Sequence, residues 1–143
     1  ACAARSSAML GLPVEDLADL TLVWRGGAAG QLHLDYVRRP SEHGFEIIGD
    51  GGAISWNQAD GIARCYTAAR DQWLSHTLPE GFERNSMFLE EMRHFRDVVA
   101  GRTEPACRLD EGVQVLRIVL AALEASRTRR WIEPGSVTGG EGR

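Results

Sequence analysis

The stretch FEIIGDGGAISW, residues 45–56, places two apolar segments on either side of the glycine-rich run GDGG. Asp50-Gly51 is a preferred central dipeptide of the type I′ turn, in which both central residues have positive φ. The alternative is a phosphate-binding loop. That loop needs a GxGxxG spacing that opens a helix, whereas here another strand-like segment, AISW, follows. The stretch therefore predicts a β-hairpin closed by Asp50 and Gly51.

Other segments in the first two thirds of the chain also predict strands. ADLTLVWR (18–25) and GQLHLDYVRR (30–39) alternate along their length, and Gly26-Gly27 between them is a turn signal. IARCYTA (62–68) and DQWLSHTL (71–78) are weaker candidates. Together with the hairpin, these segments predict a meander of about six strands.

The last third of the chain predicts two helices. Apolar residues recur every three or four positions from 88 to 99, and Gly101 is the expected stop. A second apolar stripe begins near Asp110 and runs to Leu123. Strands followed by helices indicate an α+β fold. We expect an open, mostly antiparallel sheet of about six strands with helices packed on one face.

Composition excludes several classes of protein. The chain is 43% hydrophobic and 25% charged, which is typical of one soluble globular domain, and its net charge of −4 gives no general attraction to nucleic acid or to an anionic membrane. Its three cysteines are far apart and form no CxxC, so neither a disulfide framework nor a structural zinc site is expected. No apolar run is long enough to span a membrane. These features predict a cytoplasmic protein.

The ends of the chain predict a piece of a longer protein. The sequence starts without Met and ends in the Gly-rich segment PGSVTGGEGR. We expect residues 1–13 to be a lead-in from an upstream domain, residues 14–134 to be the α+β domain, and residues 135–143 to be a flexible tail.

Three residues are candidates for contact with a substrate or an interface. His33 and Asp35 project from the same strand face, about 7 Å apart, and could serve a substrate hydroxyl or act as a general base. Arg38 could pair with a carboxylate or phosphate. The alternatives are a solvated face for His33 and Asp35, and an edge-strand cation for Arg38. No pattern predicts a catalytic, cofactor-binding or metal-binding residue.

The face that carries His33 is neither cleanly polar nor cleanly apolar. Thr21, Val23, Gln31, His33, Asp35 and Val37 share it. No element of the sequence is left to cover this face, since the two helices are assigned to the other one. We therefore expect a homo-oligomer, a dimer or larger, formed through the exposed sheet face.

The ordered series of segments resembles the C-terminal domain of the Gfo/Idh/MocA oxidoreductases. It comprises VEDLADLTLVWRGGAAGQLHLDYVRRP, FEIIGDGGAISW, NSMFLEEMRHFRDVVAGRTEP, RLDEGVQVLRIVLAALEAS and a closing RRWIEP, and it covers the chain from about Val14 to Pro134. The resemblance implies NAD or NADP in the full-length protein, bound by an N-terminal Rossmann domain that is absent here, so this chain itself holds no cofactor. The family's Glu-Lys-Pro motif does not occur, and nothing before Val14 matches its Asp-x-x-x-His motif.

The resemblance implies the substrate-binding and dimerisation domain of an enzyme that transfers a hydride between NAD(P) and a sugar or polyol, inactive as an isolated fragment. A non-catalytic sheet module for dimerisation or ligand binding is the alternative. The sequence does not choose between NAD and NADP, and it gives neither the substrate nor the direction of the reaction.

Overall fold

The structure is a computed structural model that describes residues 2–135, except for the side chain of Arg5. The chain divides into two compact units, one of residues 1–37 and 105–143 and the other of residues 38–104. Beyond Gly135, the tail expected at 135–143 lies outside the described residues. The elements are β1 (Cys2–Ser7), β2 (Leu17–Val23), β3 (Ala29–Asp35), β4 (Gly44–Gly49), β5 (Gly52–Asn57), β6 (Ile62–Thr67), β7 (Gln72–His76), α1 (Arg84–Val99) and α2 (Leu109–Thr128).

The first unit is a three-stranded antiparallel sheet, in the order β1-β2-β3, with α2 packed against it. The segment expected to be a lead-in contains β1, so the sheet begins well before residue 14. An isolated antiparallel bridge joins Cys2 to Ile132 in the closing segment RRWIEP.

Small side chains form the core between α2 and the sheet. Its buried members are Cys2, Ala121, Ala122 and Ala125, and the partly buried Ala4, Leu20, Leu22 and Ile132 pack around them. Alanines on the helix let its backbone approach the strands closely. A polar contact continues this interface, because the hydroxyl of Ser126 accepts the backbone N–H of Ser6 at 3.0 Å.

The second unit contains a four-stranded antiparallel meander, β4-β5-β6-β7. Gly49 pairs with Gly52, so Asp50 and Gly51 close the β4–β5 hairpin as predicted. The predicted type I′ turn is wrong, because neither Asp50 nor Gly51 has positive φ; Gly52 does, at +146°. The special conformation lies one residue further on, at the first position of β5.

Helix α1 belongs to the second unit and has no buried residue. Its predicted apolar stripe is present, but Phe88, Met92 and Phe95 are all half or more exposed. Gly101 follows the helix with φ +70°, as expected of a left-handed stop.

The α+β fold of antiparallel strands and two helices is confirmed. Over residues 2–135 it contains seven strands, divided between two sheets. Of the helices, α2 packs on the first sheet. Within the described residues, neither helix is long and apolar enough to cross a membrane.

Candidate functional site

The outer face of the first sheet, opposite the face that packs against α2, brings together an imidazole and two carboxylates. In the antiparallel register His33 of β3 lies directly opposite Asp19 of β2, and Asp35 is two residues further along β3 on the same face. Directly opposite residues have Cβ atoms about 5 Å apart, and this distance suits a contact between short polar side chains. The strand pattern thus places all three groups within reach of one another.

Both ring nitrogens of His33 are engaged. Nδ1 is 2.6 Å from Oδ1 of Asp19, and Nε2 is 2.9 Å from Oδ2 of Asp35. The other oxygen of Asp35 accepts the backbone N–H of Val37 at 2.8 Å. The side chains of Asp19 and His33 are 56% and 50% exposed, but that of Asp35 is only 7% exposed. The cluster therefore has one buried and one exposed carboxylate.

Hydrogen bonding to Asp19, and then to Asp35, raises the pKa of His33 above its ordinary value. The physical cause is that each carboxylate favours the protonated ring, while partial desolvation opposes the shift. Because its pKa is raised, a larger fraction of His33 is already protonated at neutral pH than of an isolated histidine.

Two of the three predicted site residues are therefore close together, and the third lies in the other unit. Arg38 begins the second unit, where its guanidinium pairs with Glu42 four residues later. A role for Arg38 beside His33 stays a prediction.

Two acidic residues, Asp16 and Asp19, make contacts that no local sequence pattern indicates. Asp19 pairs with His33, but its place opposite that residue is clear only once the register through the loop at Trp24–Ala28 is known. Asp16 is 1% exposed, and its carboxylate accepts the backbone N–H groups of Met9 and Leu10. In sequence Asp16 is one of several polar residues in a loop, and no pattern indicates its burial.

The GDGG run, Gly49–Gly52, does not fit a nicotinamide dinucleotide site. Such a site needs a glycine-rich loop between a strand and a helix, with room for a pyrophosphate at the helix N-terminus. Here Gly51 and Gly52 join two strands, and the space at Gly52 is taken by the backbone of Tyr66. Within residues 2–135, no three His, Cys, Asp or Glu side chains are arranged to hold a metal ion.

Comparisons of the fold give consistent results. An oxidoreductase domain protein from Kribbella flavida matches with a TM-score of 0.80 at 18% identity, over 93% of this chain and 44% of that one. Levoglucosan dehydrogenase in complex with NADH and levoglucosan matches with a TM-score of 0.81 at 17% identity, over 95% and 45%.

A third structure with this fold is UDP-N-acetylglucosamine 3-dehydrogenase from Acidithiobacillus ferrooxidans. It has a TM-score of 0.75 at 18% identity, over 90% of this chain and 40% of that one. The chain thus spans less than half the length of these three structures. No curated protein matches the sequence.

The sequence itself decides the family. Residues 1–133 match the family described as the oxidoreductase family, C-terminal alpha/beta domain. This match includes β1 and nearly all of the chain, and it agrees with the fold of the three similar structures. The chain therefore belongs to the Gfo/Idh/MocA oxidoreductase family and matches the C-terminal domain of that family.

Proposed function

We propose that this chain is the substrate-contacting and subunit-contacting domain of an NAD(P)-dependent oxidoreductase that acts on a sugar or polyol. Nicotinamide is bound by another part of the protein, an N-terminal Rossmann domain. The observation that carries the proposal is the Asp19–His33–Asp35 cluster on an exposed sheet face. Sugars and polyols present rows of hydroxyl groups, and an exposed carboxylate accepts hydrogen bonds from such groups strongly.

The comparisons support this substrate class. One structure of similar fold contains NADH and levoglucosan, and another is a dehydrogenase of UDP-N-acetylglucosamine. When bound, the nicotinamide supplies or takes up the hydride. The residues of this chain bind and orient the hydroxyl-bearing substrate, and the exposed oxygen of Asp19 is the acceptor that we assign to a substrate hydroxyl. The three cysteines form no disulfide, which supports a place in the reducing cytoplasm.

The test uses the complete protein encoded by the gene that contains this sequence. A panel of sugars and polyols is screened for reduction of NAD⁺ and of NADP⁺. Asp19→Asn keeps the shape of the side chain but removes its charge, and we expect KM for the reactive sugar to rise about tenfold, the worth of one hydrogen bond to a charged group. Glu46→Gln, at an exposed carboxylate in the second unit, is the matched control and should leave KM unchanged. Absence of turnover with every sugar and polyol would favour the non-catalytic module.

The same protein is expected to be a dimer or larger. Val23 on the outer face of the first sheet is 40% exposed, and in the second sheet Phe45, Ile47 and Ile48 are 52%, 60% and 75% exposed. So much exposed apolar surface is typical of an interface. Light scattering at tens of micromolar, well above the Kd of a typical specific dimer, decides this point. A monomer would contradict the proposed subunit contact.

A further inference from the structure

His33 is bracketed by two groups that only accept hydrogen bonds. An ionised carboxylate has no proton to donate, and both Asp19 and Asp35 meet a ring nitrogen at hydrogen-bond distance, 2.6 Å and 2.9 Å. A neutral imidazole carries a proton on one nitrogen only. Its other nitrogen would then direct a lone pair at a negatively charged oxygen. The geometry is satisfied only when both nitrogens carry protons.

We infer that His33 is an imidazolium at neutral pH that donates to both carboxylates and acts as a positioning residue, not as a general base. It joins β2 to β3 across the outer face and fixes the orientation of Asp19. This inference deepens the proposed function and rests on it for its functional consequence. The general-base alternative for His33 is thereby set aside at neutral pH, because an imidazolium has no lone pair with which to take a proton.

The two carboxylates at His33 come from two neighbouring strands of the sheet. Asp19 contributes from β2 and Asp35 from β3, and Arg5 of β1 lies opposite Asp19 in the strand register. Helix α2 packs on the other face of the sheet. With His33 protonated the imidazole and two carboxylates carry a net charge of −1, and after loss of the proton they carry −2.

Asp19 is the group whose position depends most on this arrangement. Asp35 is held from two sides, by His33 and by the N–H of Val37. Asp19 is exposed, and His33 is the only hydrogen-bond partner of its side chain among the described residues. When the imidazolium loses a proton, Asp19 loses the attraction of its positive charge, and if the proton leaves Nδ1 it loses its hydrogen-bond donor as well. The acceptor offered to a substrate hydroxyl is then no longer fixed.

The first experiment measures protonation directly. The ¹⁵N chemical shifts of the histidine ring nitrogens are recorded by NMR between about pH 5 and pH 10, a range that brackets the ordinary histidine pKa. We expect both nitrogens of His33 to be protonated at about pH 7, and Asp19→Asn to lower the midpoint of the His33 titration. His76, an exposed strand histidine without a described hydrogen bond to a carboxylate, is the internal reference. A neutral tautomer of His33 at about pH 7 would overturn the inference.

The second experiment measures the functional consequence in the complete protein. His33→Gln offers only one of its two polar atoms as a donor, and we expect KM for the sugar to rise about tenfold. Since Asp19 is fixed only while His33 is protonated, the wild-type KM should rise at alkaline pH. His33→Arg keeps several donors and a charge that does not titrate, so its KM should match that of wild type at neutral pH and should not rise at alkaline pH. An unchanged KM in His33→Gln would overturn the positioning role.

The two experiments separate this inference from the proposed function. The NMR spectrum alone decides the protonation state, with no need for sugar turnover. If the imidazolium is present but no sugar or polyol reacts, the proposed function fails and the protonation of His33 still stands. If turnover is found but His33 is neutral, the proposed function stands and the inference fails.

Discussion

An ideal Cβ atom on Gly52 would lie 1.9 Å from the carbonyl oxygen of Tyr66 on the neighbouring strand. Gly52 also has φ +146°, a conformation that side-chain-bearing residues rarely adopt. Two independent constraints therefore act at one position of the GDGG run. The glycine cluster that resembles a phosphate loop is needed for the close approach of two strands.

We predict that Gly52→Ala lowers the free energy of unfolding by roughly 3 kcal/mol or more, because a backbone oxygen cannot move aside as a flexible side chain can. Urea denaturation measures this loss. Gly49→Ala is the matched control, since Gly49 is the hairpin partner of Gly52 and a Cβ there meets nothing within 4 Å. It should change stability by less than about 1 kcal/mol. Equal losses in the two variants would contradict this account of the hairpin.

Asp16 holds the loop between β1 and β2, and we predict that Asp16→Ala costs about 3 kcal/mol. Its carboxylate accepts hydrogen bonds from the backbone N–H groups of Met9 and Leu10. Removal of the carboxylate leaves these two backbone donors without their acceptor. The same urea denaturation experiment measures the change. Glu15→Ala, at the exposed neighbouring carboxylate, is the control and should have an effect within about 0.5 kcal/mol. A small effect at Asp16 would mean that water replaces the carboxylate readily.

Local patterns predicted most of the elements but missed the first strand. The segment CAARSS lacks the large alternating apolar residues that indicate a strand. Its inward positions are small because they face the alanines of α2, and Cys2 and Ala4 fill the narrow space between helix and sheet. The residues of β1 are selected by their packing against α2, and a local sequence pattern does not reveal this packing.

The candidate site was predicted in part, for a similar reason. Alternation along β3 placed His33 and Asp35 on one face correctly. The identity of the residue opposite His33 depends on the register of β2, which the loop at Trp24–Ala28 sets through the backbone bond from the N–H of Trp24 to the carbonyl of Ala28. Gly26-Gly27 indicates a turn but does not give the register that the turn sets between β2 and β3. The sequence alone therefore does not predict that Asp19 lies opposite His33.

The His33 cluster should make stability depend on pH in a defined direction. The folded-state pKa of His33 is raised, so its stabilising contribution is fully present below the unfolded-state pKa, about 6.5, and is lost as pH rises through the folded-state value. We therefore predict that wild type exceeds His33→Gln in free energy of unfolding at about pH 6 and that this difference shrinks at alkaline pH. Urea denaturation across the pH range measures it. His76→Gln is the control, and its free energy of unfolding should differ less from that of wild type at acidic pH. If the difference between wild type and His33→Gln grew as pH rises, the predicted direction of the pH dependence would be wrong.

The interface between α2 and the first sheet should not tolerate a larger residue. Ala125 is 1% exposed and lies in the core with Cys2, so Ala125→Leu must push the helix away from the strands. We predict a loss of about 1–3 kcal/mol, the usual cost of overpacking. Val119→Leu adds one methylene to a residue of the same helix that is 48% exposed, and it should be neutral within about 0.5 kcal/mol. Thermal or urea unfolding measures the change in stability of each variant relative to wild type. Equal stability would mean that the space between α2 and β1 can expand, and that the small residues of CAARSS are not required for the approach of the helix.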